Sequence, residues 1–333
     1  SLYEIALVHN QSQFWKVGLP LARPAIMAGL ALVLMEVVSD FGTVEFFAIE
    51  TITLGIFNVW LGMNNLVAAA QISIVGFCFI LALLGLEIYA RSRQQYVSSS
   101  RNQAATALLI PGVSGVLICW MVCVVPLLFG FFIPVGVLIS LVTTNDFISD
   151  FLAIREIIVN TLIMACVAAL VIMVLSFFIV VTATFRCGSK TRKLALLAST
   201  GYAFPGTIVA IGVLIFTGQL DWAISSLFGA QFQGVLVTSI LMLFFAYIVR
   251  FQAVGYGAMI SGVKRLPSNM MNASRVLGRG YIDSIRRVIA PLLKSSFLAG
   301  MMLVFVDVMK ELPMTLLLRP FNFDTLATYT YQF

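Results

Sequence analysis

Apolar residues along this chain run on for twenty residues and more, and short gaps between the runs hold nearly all of the charge. One helix needs about 20 residues to cross a hydrocarbon core of ~30 Å. The pattern predicts seven spans, at about 22–42, 66–90, 105–128, 156–185, 194–217, 233–249 and 292–312. From Ala104 to Asn145 no charge interrupts the chain, but Pro111, Pro126 and Pro134 fall within it. This stretch is too long for one straight span, so it predicts one helix followed by an irregular or interfacial piece.

The placement of the charges orients these spans. Arg91, Arg93 and Arg101 form one basic gap, and Arg186, Lys190, Arg192 and Lys193 a second. Arg250, Lys264, Arg265, Arg275, Arg279, Arg286, Arg287 and Lys294 fall in a third gap with its edges. The intervening gaps are acidic or neutral: Glu45 and Glu50 in 43–65, Asp221 in 218–232, and Asp146, Asp150 and Glu156 against Arg155. With basic gaps cytoplasmic, the seven crossings alternate without conflict from inside to outside.

Composition agrees. Of the 333 residues, 61% are hydrophobic and 10% charged, against roughly 25% charged in soluble domains, which excludes a soluble enzyme or a secreted disulfide scaffold. The net charge of +6 follows the loops and interleaves with no aromatic run, so it does not indicate nucleic acid. Cys78, Cys119, Cys123 and Cys166 lie in apolar runs, as small hydrophobes do, and Cys187 lies beside a basic loop. His9 is the single histidine, so no metal centre is expected.

Residues 17–36 resemble residues 288–307, offset by 271. Val17, Pro20, Leu21, Ala28, Gly29, Leu32 and Val33 recur as Val288, Pro291, Leu292, Ala299, Gly300, Leu303 and Val304. Arg23 recurs as Lys294, Glu36 as Asp307 and Asp40 as Glu311. Both copies run from inside to outside, which makes a parallel repeat about an axis along the membrane normal.

The third basic loop carries Asn272-Ala273-Ser274, then Gly278, Val288, Ala290 and Pro291. This spacing resembles the EAA loop of bacterial ABC-importer permeases, E-A-A-x3-G-x9-I-x-L-P, with Asn272, Ser274 and Ala290 in place of Glu, Ala and Leu. Two further stretches, Met35-Glu36 with Ser39 to Phe47, and Phe305 to Pro313 with Leu316 to Leu326, resemble the fused ferric-iron permeases of that family.

The resemblance implies a MetI-like all-helical bundle with about seven of twelve spans present. Residues 1–90 would be the C-terminal part of one permease repeat, 91–104 a cytoplasmic linker and 105–333 a second repeat lacking its last span. On that reading Ser1 begins inside a cytoplasmic loop and the chain is a fragment. It implies a cytoplasmic ATPase pair that binds the ATP, an external substrate-binding protein and a bacterial inner membrane. Coupling residues would be Asn272, Ala273, Ser274, Gly278, Val288 and Pro291, with Val17 and Pro20 in the first copy. Thiamine, polyamine and phosphonate importers share the fold, and ATP-independent secondary transporters also use repeats and broken helices.

Glu36 and Asp40, like Asp307 and Glu311, are four apart and share a helix face. Counted from Arg23 or Lys294, they lie about 20 and about 26 Å along their helices, near the outer end. They are candidates for a gate that guides a cation, or for pairing with Lys310. Pro205-Gly206 interrupts its span and is a candidate for lining the pathway. Gly188-Ser189-Lys190-Thr191 lacks the order of a phosphate-binding loop.

Overall fold

The computed structural model describes residues 19–92, 112–144, 147–185, 195, 198, 200–229, 234–267 and 269–332. Val17, both basic gaps at 93–101 and 186–193, Cys187 and His9 lie outside them. Among the described residues the protein is all-helical, and six helices are long and apolar enough to cross a membrane. Lipid offers a backbone no hydrogen-bond partner, so these apolar runs close their bonds internally. The chain is an all-α, multi-pass membrane protein.

Two compact units divide it: residues 1–94 with 157–333, and residues 95–156. The first unit opens with α1 (Leu19–Ser39), followed by two short helices, α2 (Gly42–Phe46) and α3 (Ile52–Phe57), and then α4 (Leu66–Ser92). The second unit holds α5 (Val113–Leu127), a π turn (Leu128–Phe132), α6 (Ile133–Thr144) and the start of α7 (Phe147–Phe185). The first unit resumes with the rest of α7, a 3-10 turn (Gly201–Ala203), α8 (Gly206–Phe228) and α9 (Ile240–Lys264). Then come α10 (Met270–Val276), α11 (Tyr281–Ser284), α12 (Ala290–Met309), α13 (Pro313–Leu318) and α14 (Leu326–Tyr331).

The core of the first unit forms where small residues let helices approach. α9 and α12 run antiparallel, with Ala258 against Gly300 and Gly262 against Ser296. A Cβ added to Gly300 would come within 2.7 Å of the Ala258 Cβ, so the crossing requires a glycine. α7 closes the other side, where Gln252 Nε2 donates to Ser176 Oγ at 2.7 Å. Tyr247, Phe251, Ile172, Met173, Leu293 and Met314 fill the interior between these helices.

Four boundaries correct the sequence reading. The uncharged stretch is helical from Val113 to Thr144, with no irregular piece; Pro126 and Pro134 flank a π turn, closed by the Ile133 N–H donating to Leu128 O. The span expected at 194–217 has its long helix at Gly206–Phe228, so Asp221 is helical and buried rather than in an outer loop. It accepts from the backbone N–H groups of Leu236 at 3.0 Å and Val237 at 2.9 Å, which satisfies the turn before α9. The span expected at 233–249 runs instead from Ile240 to Lys264 and carries Arg250 inside it. α7 begins at Phe147, so Arg155 and Glu156 are helical too. In the last three cases a charge marked the edge of the predicted apolar run, and two of those charges, Asp221 and Arg250, find partners inside the fold.

The internal resemblance extends to the elements. α1 ends at Ser39 and α12 at Met309, within one residue of the 271 offset, and α2 and α13 begin at residues separated by that offset. α3 and α14 follow, each capped by a threonine, Thr51 and Thr325, whose side chain accepts from the first-turn backbone.

Candidate functional site: a basic elbow and a polar cleft joined by one helix

The elbow begins with α10 and reverses at Gly278. Its φ of +78° is a left-handed conformation that glycine adopts at no steric penalty. The Gly278 N–H donates to Arg275 O at 2.9 Å and the Arg279 N–H to Ser274 O at 3.2 Å, the pair of bonds that defines a Schellman C-cap. Ser284, on α11, donates to Gly280 O at 2.9 Å, and Ser274 then donates to Ser284 Oγ at 2.8 Å. Both serines are buried, so this clip ties α10 to α11 out of reach of water. Asp283 pairs with Arg287 at 2.6 Å on the surface.

Of the predicted coupling residues, Asn272 and Ala273 are exposed at the elbow, Ser274 is its inner clip and Gly278 its turn. Val288 is half-buried and Pro291 stands in the first turn of α12. Pro20, its counterpart by the 271 offset, lies within α1. Sequence reasoning missed Val276, Leu277 and Ile282, which stand almost fully exposed at the tip. Their signal was available: three apolar residues among the arginines of a loop that is otherwise polar.

The polar cleft lies at the far end of the same helix. Residues 281–309 are helical without a break, a rod of about 43 Å from the elbow to Asp307 and Lys310. The cleft encloses about 580 Å³ and is lined by Glu36, Asp40, Tyr202, Arg250, Lys310 and Glu311, among others. The structure therefore brings together all four predicted carboxylates with Lys310, Pro205 and Gly206 close by.

The four acids divide by environment. Glu311 is buried, and its Oε1 lies 2.5 Å from Arg250 Nη1. Oε1 also accepts from the Met314 backbone N–H at 3.2 Å. It faces the N-terminus of α8, whose helix dipole favours an anion. A Cβ on Gly206 would come within 2.5 Å of Oε1, so the Pro205-Gly206 break brings bare backbone up to the pair. Arg250 Nη2 reaches across to Ser39 Oγ, at the end of α1, at 2.8 Å. Glu311 is thus a fixed, structural anion.

Glu36 faces the cleft openly, while Asp307 is half-buried beside it and reaches it through Lys310. Lys310 Nζ bridges them, 3.3 Å from Glu36 Oε1 and 3.1 Å from Asp307 Oδ1. Tyr202 donates to Glu36 Oε2 at 3.1 Å. Asp40 lines the same space and has no ion-pair partner among the described residues. Four carboxylates face two cations there, and among the described residues no three His, Cys, Asp or Glu side chains converge to hold a metal ion.

The cleft is also deeper than the helix count predicted. Arg250 lies about 15 Å along α9 from Ile240 and about 21 Å from Lys264, which places its partner Glu311 near mid-depth. α13 and α14 continue outward beyond it. There Tyr331 donates to Glu45 Oε1 at 2.6 Å, and burial followed by that carboxylate pushes its phenol up to about 12. Arg250, Tyr202 and Ser39 were not expected at the site. A larger cavity of about 660 Å³ lies between α4, α8 and α9, but apart from Gln252 and a few hydroxyls its walls are apolar.

No protein-family model matches the chain. The chain is 24% identical, over 352 aligned residues covering all of it and 65% of the relative, to the Fe(3+)-transport system permease protein FbpB 2 of Haemophilus influenzae. It is also 24% identical over 165 residues to the probable transport system permease protein NifC of Clostridium pasteurianum, covering 48% of this chain and 57% of that one. The chain spans less than two thirds of the length of either relative.

Proposed function

We propose that the chain is the membrane-spanning permease part of an ATP-driven importer that admits ferric iron across a bacterial inner membrane. The observation that carries this reading is the 29-residue helix with an apolar-tipped elbow at its basic end and a carboxylate cleft at the other. The match of the whole of this chain to 65% of a protein named as an Fe(3+)-transport permease supports the substrate. Oxygen donors also suit a hard cation.

On this reading a cytoplasmic ATPase pair grips the elbow through Val276, Leu277 and Ile282. The chain itself binds no nucleotide and needs no cofactor. Closure of the ATPase pair on ATP shifts the elbow, and the rigid helix carries the shift to Asp307 and Lys310. Lys310 then leaves Glu36, and the cleft opens to iron handed over by an external binding protein. Glu36, Asp307 and Asp40 supply passing oxygen contacts, and hydrolysis resets the rod. The element-by-element match of α1–α3 with α12–α14 supports two fused permease repeats.

The test is uptake of labelled iron into vesicles holding the purified protein with its co-purified ATPase. Uptake should require both ATP and an iron-loaded binding protein, and Gly278→Trp should abolish it. If no ATPase is retained and the Trp variant takes up iron normally, the importer reading is wrong. ATPase stimulation by a thiamine-loaded binding protein, with none for iron, would reassign the substrate.

A further inference from the structure

α7 and α12 meet where a Cβ on Gly300 would come within 2.7 Å of Met173 Cε. About one turn nearer their basic ends, each helix carries a phenylalanine, Phe177 and Phe297, that is only partly buried against the core. Two rings at one level part the helices, and a groove of about 460 Å³ opens there. Its floor is the buried Leu293, and Pro291 and Leu298, both exposed, stand at its edge.

Among the described residues, one charged side chain, Lys294, lines this groove. A lysine stem covers apolar surface while its ammonium extends to the headgroup layer. That layer is near: Lys294 lies about 10 Å along the rod from Arg287, and Phe177 about 12 Å along α7 from its end at Phe185. Lys264 and Arg265, at the end of α9, lie at the same level, because Gly262 stands against Leu293 and Ser296. All three cations are exposed, and none has an ion-pair partner among the described residues.

A second groove, of about 370 Å³, lies between α7 and α9 toward their outer ends. Asn160, Ile163, Phe244 and Phe323 are among the residues that line it, and no charged residue does. The cation is therefore particular to the cytoplasmic groove. That groove follows α12 for only about 12 Å, from Ala290 to Leu298, less than half the length of a membrane-spanning helix. It can seat a hydrocarbon chain, but it would not hold a further span along its length.

We infer that this groove is a binding site for one anionic phospholipid of the cytoplasmic leaflet. An acyl chain lies against Phe177, Leu293 and Phe297, and the phosphate meets the Lys294 ammonium. Lys264 and Arg265 add positive potential at the same level, so an anionic headgroup is favoured over a zwitterionic one. The lipid then sits at the root of the rod that joins the elbow to the cleft. The inference rests on the sidedness of the basic ends and not on the transport reading.

Tryptophan quenching by lipids brominated on the acyl chain tests it. Leu298→Trp, in the complete protein in phosphatidylcholine nanodiscs, places a reporter at the groove's edge, and the difference from wild type isolates its signal. A minor fraction of brominated phosphatidylglycerol should quench it with about fivefold higher apparent affinity than the same fraction of brominated phosphatidylcholine, as one added cation predicts. Lys294→Gln in the same background should abolish that preference, and Lys294→Arg should keep it. Absence of quenching by either lipid would mean that protein covers the groove, and equal quenching would mean unselective contact with bulk lipid. Either result, or a preference that survives Lys294→Gln, overturns the inference. If Leu298→Trp does not fold, Phe177→Trp reports from the opposite wall with the same outcomes. The measurement reads lipid contact rather than uptake, so it stands or falls separately from the transport function.

Discussion

At the residue scale, the cleft separates an acid that holds the fold from acids that, on the proposed transport reading, meet a passing ion. Glu311 belongs to the first kind: it is buried, paired with Arg250, bonded to the Met314 N–H and set against the end of α8. Removing one partner of a buried pair strands the other charge, at a penalty of about 3–5 kcal/mol. Glu311→Gln should therefore lower the thermal midpoint of the detergent-solubilised protein sharply, and an unchanged midpoint would contradict the buried pair. Asp307 is only 14% exposed, but its partner Lys310 is more than half exposed, so the pair is reached from the cleft. Asp307→Asn should leave insertion and thermal midpoint near wild type while slowing iron uptake; normal uptake in that variant would remove Asp307 from the pathway. The sequence made all four acids visible through their four-residue spacing. It hid this division, because Arg250 is sixty-one residues from Glu311 and its charge marked the end of an apolar run.

At the scale of elements, the long apolar runs made the helices legible because lipid leaves a backbone few other choices. Boundaries were less legible wherever one charge sat inside a helix, as Asp221 and Arg250 do. The elbow was legible through the spacing from Asn272 to Pro291, but its working surface was not. Burial of Ser274 and exposure of Val276 depend on how α10 turns at Gly278, and no local period reports that. Two expectations follow. Gly278→Val forces a β-branched residue into a left-handed turn, a strain of roughly 1–2 kcal/mol. This should weaken ATPase retention more than it weakens membrane insertion, as read by co-purified ATPase per unit of membrane protein. Val276→Cys is the proper probe of sidedness, since position 276 is exposed and position 274 is not. It should react with an impermeant thiol reagent only after the cytoplasmic face is opened, and labelling in intact cells would invert the topology.

At the scale of the whole molecule, the cations of the cleft tie the end of α1 to the end of α12. Lys310 spans Asp307 and Glu36, and Arg250 spans Glu311 and Ser39. The Lys310–Glu36 contact has both side chains more than half exposed, so its stabilisation is small, at most about 1 kcal/mol. On the proposed transport reading, a weak tie suits a gate that a modest push from the elbow releases. If Lys310–Glu36 is the contact that closes the resting cleft, losing either partner should loosen the same step. Lys310→Met and Glu36→Gln should each raise ATP hydrolysis in the absence of binding protein, by roughly 2–5-fold for a contact of this size. The double variant should rise no further than the larger single, because one interaction can be lost only once. Independent, additive increases would mean that the two residues act at separate steps. No change in either single variant would place the resting barrier elsewhere, with the buried Arg250–Glu311 pair as the next candidate.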